Sequence, residues 1–282
     1  MKGNWGLWRR QSLTILGAEL RKNLLTKRGF WIWLLALAPV VLVWAHSIVA
    51  LKTGRLECTI TRDTRTLAIL YHYFLLRAAI FFGCVGIFMR LFRGEVLERS
   101  LHYYFLAPVR REVLLVGKFL AGMITAVLLF GGSTALTFAG MYAHYPQAEL
   151  SRFLNPGPGL HDLAAYLGVT VFACLGYGAV FTAMGMLFRN PVFPAISVLL
   201  WESLNVILPS WLAKFSVIFY LKAMVPVSLP MDKLEGPLAL LGLTPEPVAK
   251  WVAVTGLACF VSLVLAFASW QARRLEVSYS TD

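Results

Sequence analysis

Two ionisable side chains lie within long apolar stretches of the sequence, where charge is costly. Arg77 lies in the apolar run 66–92, and Glu202 lies in the run 191–211 with Asn205 three residues further on. Charged groups inside a membrane mark substrate paths, proton relays or buried ion pairs. We predict that Arg77, Glu202 and Asn205 line an intramembrane translocation path. Whether Arg77 and Glu202 pair as a structural contact, within one chain or across a dimer, stays open.

The polar segment 94–120 carries the other concentrated set of chemical groups. Its candidate residues are Glu95, Glu98, Arg99, Leu101, His102, Tyr104, Arg110 and Arg111. At helical spacing the acidic residues and the histidine share one face, and the leucine and tyrosine share another. Pro108 ends this helix before the next apolar run. The segment is either a solvated connector or a short helix that transmits force from a cytoplasmic partner.

A membrane-embedded enzyme, such as an intramembrane protease or a lipid-modifying transferase, is the alternative function. Its chemistry would come from Glu95, Glu98, Arg99 and His102. These residues belong to a helix on the soluble side, and no second cluster of His, Asp or Glu within an apolar run completes an acid–base or metal site. We therefore expect no catalytic residues and no enzyme activity in this chain.

The sequence predicts no cofactor or metal site of its own. Its four cysteines, at 58, 84, 174 and 259, show no metal-ligand spacing, and three of them fall inside apolar runs. No Gly-x-x-x-x-Gly-Lys-Ser/Thr phosphate loop is present: Gly117-Lys118 lacks the preceding glycine and is followed by Phe119. Any ATP and Mg²⁺ must therefore be bound by a partner.

The elements that position these groups are six long apolar runs. They cover 30–51, 66–92, 113–143, 162–188, 191–211 and 250–271. Each is long enough to cross a hydrocarbon core of ~30 Å at ~1.5 Å per residue. The sequence therefore predicts an all-α integral membrane protein with six transmembrane helices. A shorter apolar stretch, 214–230, is predicted to be a re-entrant or interfacial segment on the external face.

The chain divides into three parts. Residues 1–29 form an amphipathic N-terminal arm, whose leucines at 13, 16, 20 and 24 lie near one helical face, as expected for an interfacial helix. Residues 30–271 form the six-span domain, and residues 272–282 form a tail. Among 282 residues, 59% of them hydrophobic, little is left for an extramembrane domain.

The distribution of charge predicts the orientation. The net charge is +12, and the basic residues flank the apolar runs, which favours anionic lipid and excludes nucleic acid as the partner. Sixteen Lys and Arg fall on the side of the N-terminal arm and nine on the opposite side. The positive-inside rule then places both termini in the cytoplasm.

Parts of the sequence resemble a known family. The run Glu95…Leu101…Pro108-Val109-Arg110-Arg111…Gly117-Lys118 resembles the cytoplasmic segment of ABC transporter permeases of the type-2, exporter-like family. Glu19-Leu20-Arg21-Lys22 is similar to the family's entry helix. Arg99-Ser100-Leu101 stands where Gly-Thr-Leu is usual, and Arg110 stands where serine is usual.

The resemblance implies a transport function. It implies a permease in the bacterial cytoplasmic (inner) membrane that pairs with a second permease subunit, as a homo- or heterodimer. A short cytoplasmic coupling helix between spans two and three, 94–106, would dock on an ABC ATP-binding subunit that binds ATP and Mg²⁺. Spans two and five would border a path for substrate, usually moved outward. A scaffold or immunity-type membrane protein without turnover is a third possibility.

Overall fold

The structure is a computed structural model that describes residues 29–53, 58–91, 111–188, 190–205, 210–227 and 248–274. It also describes Thr14, Leu16, Gly17, Glu19 and Leu20 of the N-terminal arm, all of which are helical. No strand occurs in these residues. The all-α prediction is confirmed for this part of the chain.

Helices follow one another along the described sequence, and two of them contain a π-helical stretch. They are α1 (Phe30–Thr53), α2 (Ile60–Leu70, π-helical Tyr71–Ile80, then Phe81–Phe88), α3 (Arg111–Ala126, π-helical Val127–Gly131, then Gly132–Tyr142), α4 (Gln147–Leu154), α5 (Gly159–Leu187), α6 (Val192–Leu204), α7 (Ser210–Ala213), α8 (Val217–Met224) and α9 (Lys250–Arg274). In the described ranges, α1, α2, α3, α5 and α9 are long and apolar enough to cross a membrane. This is the architecture of a multi-pass membrane protein.

The fifth predicted span differs from its prediction. The apolar run 191–211 was expected to form one transmembrane helix, but α6 ends at Leu204 after 13 residues. At ~1.5 Å per residue α6 is about 20 Å long, which is shorter than a hydrocarbon core. The next residue, Asn205, uses its side-chain amide to bind the carbonyl of Ala213 at 3.3 Å. Apolar composition alone does not reveal where such a helix ends.

Helix α5 lies at the centre of the bundle and packs against α2, α3, α8 and α9. We compared the most apolar 18-residue stretch of each long helix. Within the bundle, 56% of this stretch is buried in α2 and in α5, and 61% is buried in α3. In α1 and in α9 only 22% is buried. Helices α1 and α9 therefore lie at the periphery, where large apolar side chains such as Trp31 and Trp251 are exposed. Exposed apolar side chains of this kind are suited to contact with lipid.

Buried hydroxyl groups join the central helices. The Tyr71 hydroxyl of α2 donates to the carbonyl of Tyr166 in α5 at 3.0 Å, and it lies 3.0 Å from the Thr170 hydroxyl. The Thr134 hydroxyl of α3 lies 3.1 Å from the same Thr170 oxygen. Hydrogen bonds between hydroxyl groups stabilise helix association where apolar packing alone is non-specific.

Glycines on α5 allow close approach of its neighbours. A Cβ atom at Gly176 would lie 2.6 Å from the Val217 side chain, and one at Gly185 would lie 2.9 Å from the Met89 Cα and carbonyl oxygen. A flexible side chain can move away from a new methyl group, whereas backbone at the end of α2 moves only with its whole helix. Gly185 is therefore the more restrictive position.

We predict that Gly185→Ala destabilises the protein by about 1–3 kcal/mol, because the new methyl group overpacks the contact with Met89. Gly168→Ala is the matched control, since Gly168 lies on the same helix and a Cβ atom there would meet nothing within 4 Å. Alanine also favours helix formation over glycine. The measurement is the thermal unfolding temperature in detergent. Equal unfolding temperatures for the two variants would contradict the predicted contact.

Candidate functional site

A buried carboxylate in the last turn of α6 caps another helix. The Glu202 Oε1 atom accepts a hydrogen bond from the Val217 backbone N–H at 2.9 Å. Its Oε2 atom accepts from the Ile218 N–H at 2.9 Å and from the Ser216 hydroxyl at 2.8 Å. Glu202 is 7% exposed and Ser216 is 1% exposed. Both carboxylate oxygens are thus engaged at the N-terminus of α8.

This arrangement follows from the needs of a helix N-terminus. The first N–H groups of a helix have no partner within the helix, and they carry the positive end of its dipole. A serine at the N-cap usually accepts a hydrogen bond from one of them, but Ser216 makes no such bond. Its hydroxyl donates to Glu202 instead. The carboxylate replaces the serine as the cap and supplies a compensating negative charge.

The capped N-terminus of α8 lies deep in the bundle. The Val217 side chain packs against Gly176, near the middle of α5, and the Leu257 side chain of α9 contacts the same position. Further along α8, the Tyr220 ring packs on Gly256 of α9. The prediction placed 214–230 as a re-entrant or interfacial segment. The burial of α8 between α5 and α9 argues against the interfacial alternative.

The structure brings Arg77 near Glu202 without joining the two in an ion pair. Arg77 is half-buried in the π-helical part of α2. Glu202 is buried in the last turn of α6. Among the described residues no Arg77–Glu202 contact comes within 4.0 Å. The described residues thus show no direct Arg77–Glu202 contact within one chain, and the pairing stays a prediction.

A second buried charge interaction lies near the start of α3. The Lys118 ammonium donates to the Glu19 Oε1 atom at 2.6 Å, and the two side chains are 0% and 6% exposed. The amphipathic pattern predicted that the leucines of the N-terminal arm lie near one face of a helix. Leu16 and Leu20 are indeed half-buried, but Glu19 is buried as well. Its burial was not predicted, because its partner lies 99 residues away.

Most of the predicted coupling residues lie outside the described part of the chain. These are Glu95, Glu98, Arg99, Leu101, His102, Tyr104 and Arg110. Arg111 is described as the first residue of α3. The predicted roles of these residues therefore stay predictions.

A third polar cluster lies where α1, α2 and α3 meet at the other end of α3. The Tyr145 hydroxyl donates to the Asp63 Oδ2 atom at 2.8 Å, and the His144 Nε2 atom lies 3.3 Å from the same oxygen. Burial raises the pKa of Tyr145, and the hydrogen bond to Asp63 raises it further. Burial also raises the pKa of the Cys58 thiol nearby, with a smaller contribution from the Asp63 charge. Sequence spacing did not reveal this cluster, because His144 and Tyr145 lie about 80 residues beyond Asp63 in the chain.

Comparison of the chain with models of known protein families and with curated proteins gave no match.

We predict that Glu202→Ala destabilises the protein by several kcal/mol, because it leaves three buried donors without an acceptor at about 1–3 kcal/mol each. Glu202→Gln should cost less, since its one carbonyl oxygen still accepts. Ser203→Ala is the control, because Ser203 is exposed and its hydroxyl binds Leu199 of its own helix. Thermal unfolding in detergent measures the order. A Glu202→Ala protein as stable as Ser203→Ala would show that Glu202 does not cap α8.

We predict non-additive effects for Glu19 and Lys118. Glu19→Leu or Lys118→Met alone should destabilise the protein by about 3–5 kcal/mol, because each removes one member of the buried Glu19–Lys118 pair. The double variant Glu19→Leu/Lys118→Met removes both charges and should recover most of this loss. The measurement is again thermal unfolding. A double variant as unstable as the sum of the single variants would contradict the buried ion pair.

Proposed function

We propose that the chain is the transmembrane permease subunit of an ATP-binding cassette transporter of the type-2, exporter-like family. It moves substrate across the bacterial cytoplasmic membrane, driven by a separate ATP-binding subunit. The helical architecture supports a membrane function, and the lack of a phosphate loop in the sequence supports the need for a partner.

The observation that carries the proposal is the Glu19–Lys118 ion pair. Glu19 belongs to the segment that resembles the family's entry helix, and Lys118 belongs to the Gly-Lys that closes the coupling motif. Nothing in the sequence required these two motifs to meet, yet the two side chains are in contact and buried. Force applied to 94–106 would pass into α3, and Lys118 would carry it into the N-terminal arm.

A six-span topology is proposed with a broken fifth span. α6 runs from the cytoplasmic face to the depth of Glu202, and α8 runs from this depth to the external face. Their 13 and 8 residues span together about 31 Å, which is one hydrocarbon thickness. This arrangement keeps both termini in the cytoplasm, as the positive-inside rule requires. Interrupted helices at mid-depth are a common device for building transport sites.

Glu202 and Arg77 have different roles in this proposal. The oxygens of Glu202 are engaged by α8, so Glu202 positions the break in the fifth span. Asn205 holds the segment that leads to α8 through Ala213. Arg77 is half-buried and is the group proposed to contact an anionic part of the substrate. Substrates with lipid-like, peptide or drug-like character would fit such an apolar path.

The test is affinity purification of the full chain from its host in mild detergent. We expect an ATP-hydrolysing subunit to co-purify at about one copy per chain. Leu101→Asp and Tyr104→Asp should abolish its co-purification, because they place charge on the apolar face of the proposed coupling helix. Arg152→Ala is the control, since this exposed residue of α4 lies on the predicted external side.

Two results would contradict the proposed function. One is purification of the intact chain with no nucleotide-hydrolysing subunit. The other is co-purification that both aspartate variants leave unchanged while each variant elutes as a folded protein in gel filtration.

A further inference from the structure

A group of metal-binding side chains converges where α1, α2 and α3 meet. His46 lies in α1, Cys58 directly precedes α2, and Asp63 lies in the first turn of α2. One potential ligand atom from each of these residues lies within 4.8 Å of the other two. The His144 Nε2 atom, just beyond the end of α3, lies 3.3 Å from the Asp63 Oδ2 atom.

The hydrogen bonds around His144 define its tautomer. The Ser47 hydroxyl donates its only hydrogen to the carbonyl of Gly140. Its oxygen can therefore only accept from His144 Nδ1, which lies 3.3 Å away. Since neutral imidazole carries one N–H, the proton belongs on Nδ1 and the lone pair on Nε2. This lone pair faces the Asp63 carboxylate, so that two acceptors oppose each other.

Two buried nitrogens of this cluster have no hydrogen-bond donor or acceptor in the described part of the chain. They are His46 Nε2 and His144 Nε2, and the His144 side chain is only 6% exposed. Buried polar atoms normally have a partner, and leaving one without it costs about 1–3 kcal/mol. A cation among these atoms would satisfy both imidazoles and the carboxylate together.

We propose that His46, Cys58, Asp63 and His144 bind a zinc ion. Two imidazole nitrogens, one thiolate and one carboxylate form a donor set that Zn²⁺ binds with tetrahedral geometry. With Zn–N and Zn–O bonds of about 2.0 Å, tetrahedral ligands lie about 3.3 Å apart. The His144–Asp63 separation of 3.3 Å already has this value. The ligand atoms of His46, Cys58 and Asp63 lie within 4.8 Å of one another, and side-chain rotation would bring His46 and Cys58 to the tetrahedral spacing.

The outer contacts of the cluster also fit a metal site. Metal-binding imidazoles usually donate their other N–H to an oxygen, and ligating carboxylates are themselves hydrogen-bonded. Ser47 supplies the first contact to His144, and the Tyr145 hydroxyl supplies the second to Asp63. A proton on His144 would satisfy its contact with Asp63 but would leave His46 Nε2 without a partner. Zinc accounts for all four side chains.

The ion would fasten the ends of three helices together. α1, α2 and α3 would be joined by one inorganic centre on the face opposite Lys118, which is the external face in the proposed orientation. This inference rests on the described side chains alone and does not depend on a transport function.

The test is the zinc content of the full chain, purified in detergent with a tag that lacks histidine and with a thiol reductant. After incubation with Zn²⁺ and desalting, we expect about one zinc ion per chain by elemental analysis. Cys58→Ser and His144→Ala should each lower zinc affinity at least tenfold. Cys259→Ser and His161→Ala are the matched controls, because both residues are exposed and lie outside the cluster.

Cobalt provides an independent readout of the ligands. Co²⁺ in the same site should show thiolate-to-metal charge-transfer absorption, which Cys58→Ser removes and Cys259→Ser retains. A wild-type chain that binds no zinc would overturn the proposal and would leave a protonated His144 paired with Asp63. Zinc binding that survives in the Cys58→Ser/His144→Ala double variant would overturn it as well.

Discussion

The cap that Glu202 places on α8 is the interaction on which the interrupted half of this bundle depends. A helix that starts in an apolar environment exposes N–H groups that neither lipid nor apolar side chains can satisfy. One carboxylate engages two of these groups and the Ser216 hydroxyl. Because Glu202 lies in the last turn of α6, its carboxylate joins the end of one helix to the beginning of the other. The packing of Val217 against Gly176 then follows from this position.

Much of the fold could be predicted from the sequence, because long apolar runs need little context. Runs near 30–51, 66–92, 113–143, 162–188 and 250–271 correspond to helices of membrane-spanning length. The fifth run is not confirmed as a single span, because its described helix α6 ends at Leu204. Its end depends on the Asn205 amide and on the Glu202 cap, and both act on residues that follow the run. Composition shows how apolar a segment is. It does not show which hydrogen-bond donors elsewhere in the chain the side chains of that segment accept from.

The polar groups show why a site is harder to predict than a fold. Sequence reasoning singled out Glu202 as an ionisable group within an apolar run, but it did not reveal that its carboxylate caps α8. Backbone N–H groups carry no signature in the sequence, whereas Arg77 was a visible opposite charge. His46, Cys58, Asp63 and His144 were not recognised as a group, since each comes from a different place in the chain. Only the packing of α1, α2 and α3 brings them together.

The π-helical stretches at Tyr71–Ile80 and Val127–Gly131 affect how the two ends of the bundle are related. A π-helical turn holds more residues than an α-helical turn, so the residues beyond it are rotated relative to an uninterrupted α-helix. The angle between Asp63 and Phe81 around the axis of α2 therefore differs from the angle that a regular α-helix would give. Removing one residue between them would rotate the half that carries Phe81 by about 100° relative to the half that carries Asp63. The length of this short stretch thus sets the angular register between the polar cluster around Asp63 and the apolar packing around Phe81.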